Sequence, residues 1–436
     1  MAPPLPPPPP SGSSRSPQAA LLLALVLAVV DPRRLRGEDR AQYRYEDYNE
    51  DGARMRTQTH AIWFEHDLHS KLSLRGQYVH DTISGATPTG GLPAPGQEVQ
   101  TVRMEDQRNA FYLETAMKAG RTTTTPQIAF SNESDYQSLG LSVNESIDFN
   151  QRNTTLNFGV AHNQDRVKGF WQAQFQYKST TDFLLGFTQL LGPATVFNAN
   201  VILGYADGYL TDPYKGITAY FDLPPAGYDP SNPNIDALPW WNTAAEVRPG
   251  HRFKQVAFAS LSHALSRWRA GAEVTYRFHH DDWGITAHTA GFTWNQKMLS
   301  RVIVSPLVRL HVQSQADFYL LSLPTDPTFG GSRLAFQGDT FIAQEGDGFF
   351  ESEVLPNPGA YTLVDVPSAP AYYSADYRLS HLRTLTLGVA ITVRVTDQIS
   401  LEGAYKRYTM EGLDGRTPSA NYPSAHVFTI GMGLPF

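Results

Sequence analysis

The last eleven residues limit the fold of this chain more than any other stretch does. They read H-V-F-T-I-G-M-G-L-P-F, from His426 to Phe436, with a large apolar side chain at every second position from Phe428 onward. Because side chains alternate between the two faces of a strand, one face here is apolar and the other carries only small or polar groups. A transmembrane barrel strand needs this pattern, since lipid lies on one side and the lumen on the other. The last buried strand of a soluble β-sandwich is the alternative that this stretch leaves open.

The same period of two runs through most of the chain. In residues 384–393, for example, Leu, Val and Ile alternate with Thr, Gly and Ala. Between Arg40 and the C-terminus we count about 16 such segments. No stretch reaches the roughly 20 consecutive apolar residues of a membrane helix. The pattern therefore predicts an all-β fold of antiparallel, up-and-down strands.

The lengths of the connections decide between a sandwich and a barrel. If the last strand ends in the periplasm, the predicted connections on the periplasmic side are all tight turns. Every long connection falls on the opposite side: 81–108, 164–177, 208–251, 317–377 and 411–425. Short periplasmic turns and long extracellular loops are the plan of outer-membrane barrels, and a soluble sandwich gives no reason for this segregation. We therefore expect a transmembrane β-barrel in the lipid of the outer membrane of a Gram-negative bacterium.

The N-terminus reads as a secretion signal. Residues 19–30 form an apolar run behind Arg15, which matches a signal-peptide core better than a membrane span. No A-x-A site follows, and we expect cleavage near Gly37 or Ala41. We assign residues 1–37 to the signal peptide and residues 38–436 to a single barrel domain. The terminal Phe436 is similar to the end signal that outer-membrane barrels present to the barrel assembly machinery.

Composition and motifs exclude several functions. The chain has no Cys, so it has no disulfide framework and no thiolate metal site. Its net charge of −7 is spread without long runs, which argues against a nucleic-acid partner. No G-x-S-x-G sequence, phosphate-cradling loop or spaced carboxylate pair is present, so no catalytic constellation supports an enzyme.

Several long blocks identify a family. They are D-T-I-S-G-A-T-P (81–88), N-T-T-L-N-F-G-V-A (153–161), T-Q-L-L-G-P-A-T-V (188–196), G-Y-L-T-D-P-Y-K (208–215), R-P-G-H-R (248–252) and Y-R-F-H-H-D-D-W-G-I-T-A-H-T (276–289). Together they resemble the bacterial outer-membrane barrels catalogued as domain of unknown function 3570, from about residue 40 to the end. Genes of that family tend to lie near those of a secreted flavin transferase and a thioredoxin-like protein. The resemblance thus implies redox work outside the cytoplasm, with these two proteins as partners.

The block at 81–88 contains the sharpest candidate site. D-T-I-S-G-A-T resembles the acceptor motif of transferases that attach FMN to proteins outside the cytoplasm. By this resemblance Thr87 carries a covalent FMN, and Asp81, Ser84, Gly85 and Ala86 complete the motif. Asp, Ser, Gly and Pro are also ordinary turn residues, so a plain turn is the alternative. The predicted topology places this stretch in an exposed extracellular loop, whereas the transferase works in the periplasm. Modification before assembly, a loop folded back into the lumen, or reversed strand parity would each remove that conflict.

Two further groups of polar residues are notable. His279, His280, Asp281, Asp282 and His288 have metal-binding side chains, but adjacent strand residues face opposite ways, so a polar hairpin end is the preferred interpretation. Six charged or imidazole side chains are predicted to face the lumen: Glu145, Arg269, Glu273, Arg277, Arg309 and His311. Residues 222–241, within the 208–251 loop, are a candidate lid or plug, and the 318–376 loop is a candidate plug of the pore.

Two functions follow from these patterns. The leading hypothesis is an outer-membrane barrel that serves extracytoplasmic redox chemistry through FMN on Thr87. The alternative is a porin-like channel or transporter for small solutes, because a lumen of about 16 strands is wide enough for water.

Overall fold

In a computed structural model, the described residues are 39–435 except 91, 94–97, 170–171, 173, 224–237, 326, 328–329, 338–339 and 345–361. The predicted signal peptide (1–37) and Phe436 lie outside this set. Within it, no helix is long and apolar enough to cross a membrane.

Sixteen antiparallel strands close into one barrel, which confirms the predicted architecture. They are β1 (Arg40–Glu50), β2 (Met55–His69), β3 (Leu72–Pro88), β4 (Thr101–Ala119), β5 (Thr122–Asn132), β6 (Tyr136–Phe149), β7 (Thr154–Val167), β8 (Gln176–Gly192), β9 (Thr195–Gly208), β12 (His251–Leu265), β13 (Ala270–Asp281), β14 (Thr286–Lys297), β15 (Val302–Gln313), β20 (Leu382–Arg394), β21 (Ser400–Gly412) and β22 (Ser424–Pro435). Each strand pairs with the next, and β1 pairs with β22 to complete the ring. Closure leaves no unpaired strand edge in the bilayer.

The outer face of the barrel is apolar. On β22, Phe428 and Ile430 are 52% and 63% exposed, and on β20 Leu387 is 51% exposed. Neighbouring strands place their apolar side chains on the same face, as in the cross-strand pairs Phe111–Phe130 and Ile128–Leu141. Such a continuous apolar surface is stable only against lipid. The protein is therefore a barrel of the Gram-negative outer membrane.

The inner face carries polar and charged side chains, most of them in pairs. Arg75 on β3 contacts Glu65 at 2.6 Å and Glu114 at 3.2 Å, which links three consecutive strands across the lumen wall. Lys254 on β12 lies 2.9 Å from Asp182 on β8. Pairing of this kind offsets the desolvation of charges that lie in a confined space.

Two strands extend well past the membrane, and this corrects a predicted loop. β3 and β4 have 17 and 19 residues, whereas about 9–11 residues cross a bilayer. The connection between them is therefore 89–100 and not 81–108. Beyond the membrane the lipid-facing positions become polar, so the alternation of apolar and polar residues disappears while the backbone ladder continues. The outer rim also has short turns, such as the one-turn 3-10 helix Asp51–Ala53.

The two longest extracellular connections fold together into a cap, which we define as the described parts of 209–250 and 314–381. One sheet of the cap contains β10 (Gly216–Leu223), β11 (Leu238–Ala245) and β16 (Ser322–Leu323), and so joins both connections. The second contains β17 (Arg333–Gln337), β18 (Thr340–Gln344) and β19 (Thr362–Asp365). A buried apolar cluster stabilises the junction: Ile217, Ala219, Leu323, Tyr373 and Ala375.

Candidate functional site

The Asp81–Thr87 motif lies within β3, so its predicted position in an exposed loop is wrong. Asp81 pairs with Thr59 on β2 and with Arg108 on β4, and Thr87 pairs with Val102. The alternation of the strand directs Asp81 and Thr87 towards the lumen, with Ser84 and Ala86 on the outer face. Asp81 is 7% exposed and its carboxylate lies 2.8 Å from Arg108 Nε.

Gly85 has a structural role in this motif. Its φ is +133°, and a Cβ atom would lie 1.9 Å from the carbonyl oxygen of Arg54. The next residue, Ala86, donates its N–H to that same oxygen at 2.6 Å. Only glycine fits this close approach between β2 and β3.

Thr87 contacts a buried lysine from the cap. Lys215 Nζ donates to Thr87 Oγ1 at 3.1 Å and also to the carbonyl oxygen of Pro88. Lys215 is 2% exposed, and burial lowers the pKa of its ammonium group against the opposing effect of Asp376. Gly216 then donates its N–H to Thr89 O at 3.1 Å, so the cap is joined to the outer end of β3.

A chain of ion pairs continues from this point into the cap. Arg378 Nε lies 2.9 Å from Asp376, and Arg378 also pairs with Asp212. Arg248 bridges Asp376 at 2.8 Å and Glu246 at 2.6 Å. Burial alone would raise the pKa of Asp376, but the guanidinium groups of Arg378 and Arg248 outweigh it and hold that pKa well below its usual range. Carboxylates and guanidiniums from both connections therefore neutralise one another inside the cap.

Thr87 and Lys215 line a cavity of about 320 Å³ at the outer end of the lumen. Barrel strands supply the apolar side chains Ile83, Met104 and Val167 and the ring of Tyr136. The cap supplies polar and charged groups, including Asp212, Tyr214, Lys215 and Arg378. The cavity thus combines the Thr87 hydroxyl, the Lys215 ammonium and the Arg378 guanidinium with a partly apolar, aromatic wall.

Three carboxylates lie on another side of the same cavity. Ligand atoms of Asp106, Glu133 and Asp135 all lie within 4.8 Å of one another. Burial, helped by the nearby charge of Asp106, raises the pKa of Asp135 to about 6. The hydroxyl of Tyr214 donates to Asp135. The sequence analysis missed this group because Asp106 is remote in sequence from the turn that holds the other two.

The histidine cluster is divided between the two faces of the barrel, as the preferred interpretation required. His279 faces the lumen, and its Nε2 lies 3.0 Å from Asp281 Oδ2, which also pairs with Arg252. His280 faces outward and contacts Thr286 at 3.1 Å. Asp281 Oδ1 accepts the N–H groups of Trp283 and Ile285 and so stabilises the turn.

Four of the six predicted lumen residues do face the lumen: Glu273, Arg277, Arg309 and His311. Two predictions were wrong. Glu145 pairs with Phe158, lies on the outer face and accepts a hydrogen bond from Thr124 at 2.6 Å. Arg269 lies in a periplasmic turn with a φ of +51°, where side-chain alternation no longer applies.

The sequence matches the family model described as "Protein of unknown function (DUF3570)" over residues 19–419. The chain belongs to the DUF3570 family. No curated protein matches this DUF3570 chain.

Solved structures similar to this DUF3570 barrel come from several outer-membrane proteins. The siderophore receptor PirA from Pseudomonas aeruginosa shares 10% identity and a TM-score of 0.37, covering 92% of this chain and 63% of that one. CdiB from Acinetobacter baumannii shares 8% identity with a TM-score of 0.47, covering 91% and 60%. OmpT of Vibrio cholerae shares 9% identity with a TM-score of 0.38, covering 92% and 98%. The DUF3570 chain thus spans about three fifths of the first two, and similarities this weak carry no argument about its ligands.

Proposed function

We propose that this outer-membrane barrel serves extracytoplasmic redox chemistry by carrying FMN on the hydroxyl of Thr87. The observation that supports the proposal is the contact between Thr87 Oγ1 and the buried Lys215 ammonium at 3.1 Å. A phosphate ester on this hydroxyl would be an anion, and Lys215 is positioned to neutralise it. The motif by itself resembles an acceptor sequence, and the lysine adds a chemical partner for the phosphate.

The surrounding residues fit such a group in part. Ile83, Met104 and Tyr136 offer an apolar and aromatic wall for a flat ring system in the cavity of about 320 Å³. The carboxylates of Asp135 and Asp212 would repel a phosphate, which restricts it to the side of Lys215. FMN supplies one-electron and two-electron transfer when bound. Lys215 holds the charge, and the cap around it limits access of water.

The position of Thr87 requires the flavin transferase to act before the barrel assembly machinery. Pro88, Thr89 and Gly90 are buried under the cap, and a Cβ atom on Gly90 would lie 2.3 Å from Ala375 O. A flavin transferase therefore needs an unfolded β3, before the barrel assembly machinery closes the ring. This order removes the conflict between an extracellular site and a periplasmic transferase. A thioredoxin-like protein is the proposed periplasmic redox partner.

The test is co-expression with and without a periplasmic flavin transferase, followed by intact-mass measurement and in-gel flavin fluorescence. We expect a mass gain of one FMN less one water in the wild type and in Thr87→Ser, and none in Thr87→Ala. Thr89→Ala is the matched control, since Thr89 is a neighbouring buried threonine outside the motif. A gain that survives Thr87→Ala, or no gain in the wild type, contradicts the proposal.

A second candidate function is a porin-like passage for small solutes. It is favoured by a closed ring of sixteen strands with charged residues on its inner face. Planar-bilayer recordings of the purified barrel separate the two candidates. Steps of conductance without bound flavin favour the passage, whereas a silent barrel with bound flavin favours the redox protein.

A further inference from the structure

Three cations in the interior of the barrel strands have no acidic partner among the described residues. Arg277 on β13, Arg309 on β15 and Lys406 on β21 form no ion pair or hydrogen bond with any described residue. Six other lumen cations each lie within 4.0 Å of a carboxylate: Arg44, Arg75, Arg108, Lys178, Arg252 and Lys254. At the periplasmic ends of β4, β14 and β20, Lys118, Lys297 and Arg394 also have no described carboxylate within 4.0 Å, so Arg277, Arg309 and Lys406 are distinguished by lying in the interior of their strands.

The register arranges the three cations in one diagonal line, which we call the basic row. Across the intervening strand β14, Arg277 of β13 is level with Thr289 and then with His311 of β15. Arg309 precedes His311 by two residues on β15 and is level with Gly291. Arg309 is therefore two strands sideways and two residues closer to the periplasm than Arg277. Neighbouring strands are about 4.8 Å apart and residues rise about 3.3 Å, so their Cα atoms are about 12 Å apart. Both long side chains can reach one bound group between them.

Lys406 continues the row by the same step. It lies opposite Gly388, which lies opposite Leu307, two residues below Arg309. A Cβ atom on Gly388 would lie 2.8 Å from Lys406 Cγ, so the lysine stem crosses β20 towards β15. Glycine at 388 thus provides space for the lysine stem over β20, next to Leu307 of β15.

Hydroxyl donors accompany the row. Thr386 lies opposite Arg309, whereas the hydroxyl of Thr289, on the strand between Arg277 and Arg309, is hydrogen-bonded to His311 Nδ1 at 2.8 Å. The nearest unpaired carboxylate on this wall, Glu273, is four residues below Arg277 on the same strand. The three cations and Glu273 leave a local charge of about +2 at neutral pH.

We propose that the basic row binds solutes with two or more oxyanionic groups, such as phosphates or carboxylates, within the lumen. The guanidinium and ammonium groups, carried on Cα atoms about 12 Å apart, can converge on one small polyanion, which offers each of them an oxyanionic group where a single chloride cannot. The inference does not depend on a flavin at Thr87, because that residue lies on the wall of β3 and contacts Lys215 instead.

The test is calorimetric titration of the refolded, flavin-free barrel with inorganic pyrophosphate and, separately, with citrate. We expect saturable binding that weakens about threefold in each of Arg277→Gln and Arg309→Gln, and at least about tenfold with Lys406→Gln added. Glu273→Gln should strengthen binding, because it removes the opposing charge. A preference for pyrophosphate over citrate assigns the row to phosphates, and the reverse assigns it to carboxylates.

The control is Arg56→Gln, which removes one positive charge from the outer face, where Arg56 pairs with Asp47. It should leave the affinity unchanged, and a heat-modifiable gel shift verifies that each variant folds. No binding to the wild type, or binding that the triple variant retains, overturns the proposal. Loss of binding in Lys215→Gln but not in the triple variant would place the anion at the Thr87 site and also overturn it.

Discussion

Gly85 satisfies two independent requirements, one from the acceptor motif and one from the backbone. The motif has a small residue before the threonine. The backbone requires glycine by itself, because a Cβ atom at this position would lie 1.9 Å from Arg54 O. The glycine of the motif is therefore weak support for a bound flavin, because the backbone requires it in any case. The threonine at 87 is stronger support. At Thr87 no backbone requirement explains the hydroxyl, and the contact with Lys215 supplies a chemical reason.

At this scale we predict that Gly85→Ala destabilises the folded barrel by about 2–3 kcal/mol, because φ near +133° is strained for alanine and its Cβ meets a carbonyl. Urea unfolding of the refolded protein in detergent measures the change. Gly403→Ala is the control, since a Cβ atom there would meet nothing within 4 Å. Equal stabilities of the two variants would contradict the assignment.

The cap is the element that joins the candidate site to the rest of the fold. Arg248 and Asp376 are 128 residues apart in sequence and come from different connections, yet they pair at 2.8 Å. Asp376 is 1% exposed and contacts two guanidiniums, so removal of its carboxylate would leave Arg248 paired with Glu246 alone and Arg378 paired with Asp212 alone. The ion pairs therefore hold the two connections in register at the outer end of β3.

We predict that Asp376→Asn loosens the cap by about 2–3 kcal/mol, because Arg248 and Arg378 each lose one of their two carboxylate partners. Limited trypsin digestion should cut the cap at once in this variant while the barrel strands stay intact. Asp365→Asn serves as the control, because the Asp365 side chain is 82% exposed and its pair with Arg333 is a surface one. Equal resistance of the two variants to trypsin would refute the role of the ion pairs.

The carboxylate of Asp376 also makes the stability of the cap depend on pH. Its pKa in the folded state is depressed, so the stability it contributes is complete above the ordinary aspartate pKa of about 4 and is lost as pH falls towards the folded value. Cap protection against pepsin should therefore decline below about pH 4 in the wild type. In Asp376→Asn the protection should be low at every pH, and a decline as steep as in the wild type would contradict the assignment.

For the whole molecule, stability depends on which face of the barrel meets lipid. Leu387 and Thr392 lie on the same strand, but Leu387 is 51% exposed to lipid while Thr392 faces the lumen opposite Glu402. The bilayer excludes charge from the outer face, and the lumen provides water and counter-charges.

We predict that Leu387→Lys destabilises the barrel by about 2–4 kcal/mol in lipid vesicles, whereas Thr392→Lys changes stability little. Reversible denaturant titration, followed by tryptophan fluorescence, measures both. A Thr392→Lys variant as unstable as Leu387→Lys would mean that the assignment of the two faces is reversed.

The sequence alone predicted the barrel architecture. The period of two and the segregation of short and long connections can both be read directly along the chain. It also located the motif and most of the lumen charges, since alternation along a strand assigns faces directly. It failed at Arg269, where a turn ends the alternation, at Glu145, a charged side chain that the alternation of β6 places on the outer face, and where polar strands extend past the membrane, as at Asp81–Thr87.

The tertiary structure alone decided which distant residues meet. Lys215 lies 128 residues from Thr87, and nothing local to either residue indicates their contact. The diagonal line of the basic row is also visible only in three dimensions, because it depends on the register between neighbouring strands. The reason is physical: strand periodicity is set by the geometry of one chain segment, whereas charge pairing is set by strand register and by how two long connections pack against each other.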